Sequence, residues 1–113
     1  MRITVILKGD PFSWKCQEAF RVAMALGINC EVNLVLIKDG VYALSHWQPE
    51  ELYIEGFERL IENMDYVKVK VFVEDASLEE RGLKKEDLKK EVEVKSIDDI
   101  KELIKRSEAV VVW

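Results

Sequence analysis

The sequence predicts a single α/β domain, built on a mainly parallel sheet of about five strands with helices on both faces. Apolar runs of strand length alternate with segments whose apolar residues recur every three or four positions. Near-continuous apolar runs are typical of parallel strands that are covered on both sides. A chain of 113 residues is long enough for one core and too short for two. We therefore expect one domain spanning residues 1–113.

The first half of the chain predicts a strand, a helix and a second strand. Residues 3–7 form an apolar run that ends at a Lys-Gly-Asp-Pro turn. A helix follows to about Leu26, with Asp10 or Ser13 available to cap its start and Gly27 placed to end it. The next strand covers residues 30–37, where Val, Leu and Ile dominate.

A second helix is predicted from Pro49, because proline suits a first helical turn and apolar side chains follow at helical spacing up to Met64. The third strand spans residues 67–73, where valines alternate with Lys68, Lys70 and Phe72. This strand has one very apolar face and one mixed face, and we expect the mixed face to be only partly covered.

The last third begins with a polar segment over residues 74–90, which we interpret as a loop. A short strand is expected at 91–94, followed by a helix that Ser96 caps. The apolar run at 109–113 predicts a final strand. The resulting order is β-α-β-α-β-loop-β-α-β, which implies right-handed crossovers in a mainly parallel sheet.

Composition and charge exclude several classes of function. The net charge of −5 argues against binding to duplex DNA or RNA, which requires a basic face, and we expect no direct contact with nucleic acid. No apolar run approaches 18 residues and no signal-peptide pattern precedes the first strand, so we expect a cytoplasmic protein without membrane contact. No cofactor or metal site is predicted, and the Glu- and Lys-rich charged set favours a thermophilic source.

Function is expected where parallel strands end, because ligands of such sheets gather at the carboxyl edge. Three loops, at residues 9–13, 39–47 and 74–82, are predicted to share this edge. Its candidate contact residues are Asp39, Gly40, Tyr42, Trp47, Asp75, Arg81 and Gly82. Large aromatic side chains on loops often anchor partners, which favours an interface role for Tyr42 and Trp47.

The two cysteines have neither the spacing of a metal site nor that of a Cys-x-x-Cys dithiol. Cys16 lies near the start of the first helix beside Lys15, where the helix dipole and a cation favour a thiolate that accepts sulfur. A packed helical thiol is the favoured interpretation, since Cys16 precedes Phe20 by one helical turn on the core-facing stripe. Cys30 is predicted to be a core residue.

The histidine and the acidic residues near this edge are better interpreted as surface residues than as catalytic or binding groups. His46 is the only histidine and has no evident triad partner, so a surface or interface position is favoured over acid–base catalysis. Acidic residues cluster at 74–80 and resemble the start of a solvated helix. Walker-type and dinucleotide-binding glycine motifs are absent from the sequence.

Two motifs carry a family resemblance. Asp-Gly-Val-Tyr-Ala-Leu at 39–44 follows the second strand, and Ala-Ser-Leu-Glu-Glu-Arg-Gly-Leu at 76–83 follows the third. Together with the small-residue-rich first helix and the aromatic C-terminal end, they resemble the DsrE/DsrF/DsrH family of sulfur-relay proteins, which includes the TusB, TusC and TusD subunits. The TusC/DsrF branch is the most similar. The resemblance implies a DsrE-like domain with flavodoxin-like layering.

The resemblance also implies oligomers in which a cysteine persulfide passes between partners, for tRNA 2-thiouridine formation or sulfur oxidation. The sulfur-bearing cysteine of the DsrE/TusD branch ends the third strand, and counting back from Gly82 places that position at Glu74. A carboxylate cannot hold a sulfane sulfur, so the carrier role does not transfer to this residue.

Three interpretations follow. The chain is a non-catalytic subunit, in a homo- or hetero-oligomer with DsrE/TusD-like and TusB-like paralogues, whose thiol belongs to a partner. Alternatively, Cys16 has become the sulfur acceptor. A third alternative is a small-molecule or nucleotide-binding domain that uses the same edge without sulfur chemistry.

Overall fold

The computed structural model describes residues 1–46 and 56–113. Trp47 and the predicted start of the second helix at Pro49 lie outside the described residues. Short 3₁₀ segments occur at Lys38–Leu44, Met64–Tyr66 and Lys85–Asp87. The strands and α-helices are, in chain order, β1 (Arg2–Leu7), α1 (Trp14–Leu26), β2 (Glu31–Leu36), α2 (Phe57–Asn63), β3 (Val69–Glu74), α3 (Asp75–Glu80), β4 (Glu93–Lys95), α4 (Ile97–Lys105) and β5 (Ala109–Val112).

The five strands form one parallel sheet in the order β4-β3-β2-β1-β5. From β1 to β4, each new strand is added on the same side of the preceding one. The chain then crosses back and places β5 on the other side of β1. Right-handed crossovers in opposite directions put their helices on opposite faces of a sheet. The predicted α/β class, with helices on both faces, is confirmed.

The larger core lies between the sheet and helices α1 and α2. It collects alternate residues of β1, β2 and β3, as the two-residue period of a strand requires. The aromatic rings of Phe20 and Phe57 meet edge to face with centroids 5.1 Å apart, which joins α1 to α2. Gly27 ends α1 with an ordinary helical backbone, and its lack of a side chain accommodates Val69, whose Cγ2 would lie 2.7 Å from an added Cβ.

The other face of the sheet has a thinner cover. Helix α4 packs Ile100, Leu103 and Ile104 against Ile6, Val35 and Phe72. Ser96 caps this helix as predicted, since its Oγ accepts a hydrogen bond from the Asp99 amide at 3.3 Å.

Three local expectations differ from the structure. Ser13 occupies the N-cap position of α1 but makes no capping bond, and its hydroxyl donates to the Asp10 carbonyl instead. The first residues of the predicted loop 74–90 form helix α3, because Asp75 can satisfy a free amide of the first turn, that of Ala76. Strand β3 also ends one residue later than predicted and so includes Glu74.

Within the described residues, no helix is long and apolar enough to cross a membrane.

Candidate functional site at the carboxyl edge of the sheet

Arg81 joins two of the three predicted edge loops. Its Nε donates to the Asp39 carboxylate at 3.0 Å, and its Nη1 donates to the Ser77 carbonyl at 3.1 Å. The turn that follows α3 holds Arg81 in place, because Gly82 adopts a φ of +65° that a side chain would disfavour. The loops after β2 and β3 therefore meet as the sequence predicts.

Ser77 makes the second connection between these loops. Its side chain is buried, its hydroxyl donates to the Glu74 carboxylate, and it accepts a hydrogen bond from the Lys38 amide at 2.8 Å. Lys38 has a φ of +51°, unusual for a residue with a side chain, and this conformation directs the chain into the 3₁₀ segment. Glu74 is thus fixed at the strand end by a buried hydroxyl.

Gly40 brings the loop after β2 against the end of β1. A Cβ at this position would lie 2.2 Å from the Leu7 carbonyl oxygen, so only glycine fits without a backbone shift. The Leu7 carbonyl in turn accepts a hydrogen bond from the Ile37 amide at 3.0 Å. The Asp-Gly motif therefore serves close backbone packing, which positions Asp39 at the edge for Arg81.

Neither cysteine supplies a thiolate to this edge. Cys16 is packed in the core with 1% of its surface exposed, and burial, followed by the negative charge of Asp10, raises the pKa of its thiol to about 12. Cys30 precedes β2 and so lies at the opposite, amino end of the strand. The packed position of Cys16 agrees with the favoured interpretation, and it outweighs the helix dipole and Lys15, on which the alternative of a thiolate rested.

The remaining candidates lie at different depths. Tyr42 is half-buried, His46 is exposed, and Asp75 is exposed with its carboxylate bonded to the Ala76 amide at 2.6 Å. Trp47 lies outside the described residues. In the part of the chain that the structure describes, no group of three or more His, Cys, Asp or Glu side chains is arranged to hold a metal ion.

Sequence reasoning missed Ser77 and Lys38. Ser77 lies three residues after Glu74, which is the spacing of a side-chain pair across the first turn of a helix. The acidic cluster at 74–80 indicated the start of a helix, but it did not indicate that the Ser77 hydroxyl would bond back to Glu74 at the end of the strand. Nothing in the local sequence marks Lys38 as a left-handed residue.

The described residues of this edge provide a fixed carboxylate, an Arg–Asp ion pair and a buried hydroxyl, without a reactive thiol. Such groups can accept and donate hydrogen bonds to a partner, but Glu74 cannot form a persulfide.

The fold and this edge define a small, single-sheet α/β domain of the kind that places its functional loops at one end of parallel strands. Residues 1–113 match the sequence model of the DsrE/DsrF-like family, and the chain belongs to that family. The match is to the family as a whole, and the TusC/DsrF branch stays a prediction.

One protein sequence and two solved structures match this chain over nearly its full length. It is 33% identical over 118 residues to an uncharacterised protein of Methanocaldococcus jannaschii, MJ0989, with both sequences covered completely. The crystal structure of the ychN protein from Escherichia coli superposes with a TM-score of 0.84 at 22% identity, covering 100% of this chain and 99% of that one. MTH1491 from Methanobacterium thermoautotrophicum, a protein of unknown function, gives 0.70 at 16% identity, covering 99% and 97%. The two structures support the fold.

Proposed function

We propose that this chain is a subunit of a sulfur-relay oligomer in which a partner carries the sulfur. The observation that carries the proposal is the position of Glu74, which ends β3 where the resemblance places the sulfur-bearing cysteine of the DsrE/TusD branch. Membership in the DsrE/DsrF-like family supports the relay context. The relay would serve tRNA 2-thiouridine formation or sulfur oxidation, the two uses that the resemblance implies.

The environment of Glu74 supports a contact role. Ser77 holds the carboxylate in one orientation, so little conformational freedom is lost when a partner binds. A fixed carboxylate accepts hydrogen bonds from a thiol or an amide. The neighbouring Arg81–Asp39 pair adds charged groups of both signs, which favour orientation of a partner more than tight binding.

The two outermost strands of the sheet, β4 and β5, differ in a way that supports an oligomer. Strand β4 is three residues long and carries Glu93 and Lys95, and charged side chains discourage strand pairing. Strand β5 at the opposite edge is Ala-Val-Val-Val, and its valines Val110, Val111 and Val112 are 40%, 37% and 54% exposed. An apolar edge without such charges fits a surface that a second subunit covers.

Intact-mass measurement after incubation with a cysteine desulfurase and cysteine tests where sulfur is held. The wild-type chain is expected to gain no stable sulfur adduct, and Glu74→Cys is expected to gain one of about 32 Da. In this variant the introduced thiolate attacks the outer sulfur of the donor persulfide, and the donor thiolate leaves. Glu79→Cys is the matched control, because Glu79 is exposed on α3 away from the end of the strand.

Partner binding forms the second part of the test. A family member with cysteine at the position of Glu74 is expected to form a complex with the wild-type chain, detected by native mass spectrometry. An adduct on the wild-type chain that disappears in Cys16→Ser would overturn the proposal in favour of a Cys16 carrier. A nucleotide retained through purification, with no complex formed, would favour the third interpretation.

A further inference from the structure

A cavity of about 540 Å³ lies at the amino ends of the strands, whereas Glu74 lies at their carboxyl ends. It opens beside the C-terminal end of α4, on the thinly covered face of the sheet, and Phe72 and Leu103 form part of its apolar wall. Small-molecule sites in proteins commonly have volumes of roughly 300–1,000 Å³.

The strand register explains why this end of the face is polar. Ile6, Val35 and Phe72 form an apolar row across β1, β2 and β3 that α4 covers. One step towards the amino end, Thr4, Asn33 and Lys70 form the next row on the same face. Beyond it Arg2 is paired with Glu31. The cavity forms where the apolar row stops.

Helix α4 places a further cation over this polar end. The hydroxyl groups of Thr4 and Ser107 are in hydrogen-bond contact, and the Ser107 hydroxyl donates to the Leu103 carbonyl at 2.8 Å. These bonds fix the end of α4 against β1. Arg106, which ends the helix and lines the cavity, is therefore held close to the strand residues.

The cavity is strongly positive for a chain with a net charge of −5. Its lining has four cations, Arg2, Lys68, Lys70 and Arg106, against one carboxylate, Glu31, which is paired with Arg2 at 3.3 Å. Among the described residues, Lys68, Lys70 and Arg106 have no ion-pair partner. Local concentration of one charge in a concave surface attracts ligands of the opposite sign.

Asn33 adds a second indication of a ligand site. It is 8% exposed, lines the cavity, and its side-chain amide has no hydrogen-bond partner among the described residues. Among the described residues no buried side-chain nitrogen or oxygen lacks a hydrogen-bond partner, so the unbonded Asn33 amide is open to the cavity, where a polar group of a ligand can bond to it.

We propose that this cavity binds a small organic phosphate. The phosphate lies among Lys70, Lys68 and Arg106, whose ammonium and guanidinium groups form charge-assisted hydrogen bonds to it, and the Asn33 amide donates a further one. The carbon part of the ligand packs against Phe72 and Leu103. The site is separate from the carboxyl edge and does not depend on sulfur relay.

Titration of the intact protein with three probes tests the proposal by isothermal calorimetry and amide chemical shifts. Adenosine 5′-monophosphate is expected to bind, and inorganic phosphate is expected to bind more weakly. Adenosine, which has no phosphate, is expected to bind at least about tenfold more weakly than the monophosphate, because it loses at least one strong charge-assisted contact. Binding should weaken as salt concentration rises, since screening reduces the attraction. Shifts are expected for amides near Asn33 and Lys70.

Lys70→Gln and Arg106→Gln are each expected to weaken binding of the monophosphate about tenfold. Lys101→Gln is the matched control, because Lys101 is an exposed cation of α4 that does not line the cavity. Lys68→Gln serves in place of either variant whose circular dichroism shows a loss of fold.

Three results would overturn the proposal. The first is the absence of saturable binding of both phosphate probes at about 1 mM. The second is equal weakening by the cavity variants and Lys101→Gln. The third is that the phosphate probes do not bind, while Lys70→Gln or Arg106→Gln changes the mass of the oligomer. That result would assign the cavity to contact with a second copy of the chain. None of these measurements involves a sulfur donor, so failure here leaves the relay proposal to its own test.

Discussion

Arg81 and Asp39 are 42 positions apart in the chain, and their side chains meet through two nitrogens, Nε and Nη2, each 3.0 Å from the same carboxylate oxygen. The Arg81 side chain is 18% exposed and that of Asp39 is 56% exposed, so the pair is only partly shielded from water. It nevertheless connects the loop after β2 to the turn after α3. The family-like Asp-Gly and Arg-Gly motifs are thus physically joined.

Arg81→Ala removes this pair and the bond to the Ser77 carbonyl. We expect the free energy of unfolding to fall by about 1–2 kcal/mol, because a partly buried, charge-assisted contact is lost while Asp39 can still be solvated. Urea denaturation measures the change. Lys105→Ala is the control, since its pair with Glu102 is exposed at both ends and should cost about 0.5 kcal/mol or less. Equal losses in both variants would show that Arg81 does not couple the loops.

Gly40→Ala tests the close approach of the loop to β1. The added Cβ would lie 2.2 Å from the Leu7 carbonyl oxygen, and backbone must move, so we expect a loss of at least about 2 kcal/mol in stability. Gly9→Ala is a matched control, because a Cβ there meets nothing within 4 Å. Removal of glycine at such a site should change stability by roughly ±1 kcal/mol. Thermal and urea unfolding of both variants provide the comparison, and similar stabilities would refute the packing explanation.

The elements that sequence predicted best are those in which local pattern and burial agree. The apolar runs that became β1 and β2 are buried from Ile3 to Leu7 and from Val32 to Leu36, so their composition alone indicated central strands. Helix α3 was indicated only by the acidic cluster at its start, because three of its six residues are acidic, most are exposed, and the longer segment 74–90 resembles a loop.

The candidate site was predictable in its location but only partly in its contacts. Parallel topology places the ends of β2 and β3 together, so Asp39, Glu74 and Arg81 could be assigned to one edge. The packing of Cys16 was indicated by its helical spacing from Phe20, since both side chains lie in the same core, whereas the adjacent cation and helix terminus pointed the other way. The left-handed Lys38 was not predictable from its neighbours in sequence, and its amide bonds to Ser77, 39 positions away.

The raised pKa of Cys16 predicts a specific pH dependence. The folded state holds the thiol proton up to about pH 12, whereas an unburied thiol releases it near the ordinary value of 9.0. Folded protein therefore binds more protons than unfolded protein between these values, and stability falls as pH rises through this window. The contribution of Cys16 is complete below pH 9 and declines by up to about 1.4 kcal/mol per pH unit above it.

Chemical denaturation of the wild-type chain and Cys16→Ala at pH 8 and pH 10 isolates this effect, because every other titrating group is shared. The stability difference between the two should shrink at pH 10. Thiol-reagent kinetics at pH 8 give a second measurement, in which Cys30 is modified and Cys16 reacts only as the protein opens. Rapid modification of Cys16 in the folded state would contradict the buried assignment and strengthen its candidacy as a sulfur acceptor.

Val112→Lys tests whether the apolar edge strand β5 is a subunit contact. Val112 is among the exposed valines of β5, so a lysine there should leave folding intact within about 0.5 kcal/mol while weakening association through charge and desolvation. Native mass spectrometry and light scattering measure the change in mass. Val94→Lys is the matched control, because Val94 is an exposed valine of the opposite edge strand, beside the charged Glu93 and Lys95. If β5 is the contact, only Val112→Lys dissociates the assembly, whereas a monomeric wild-type chain or equal effects of the two lysines would remove β5 from the argument for an oligomer.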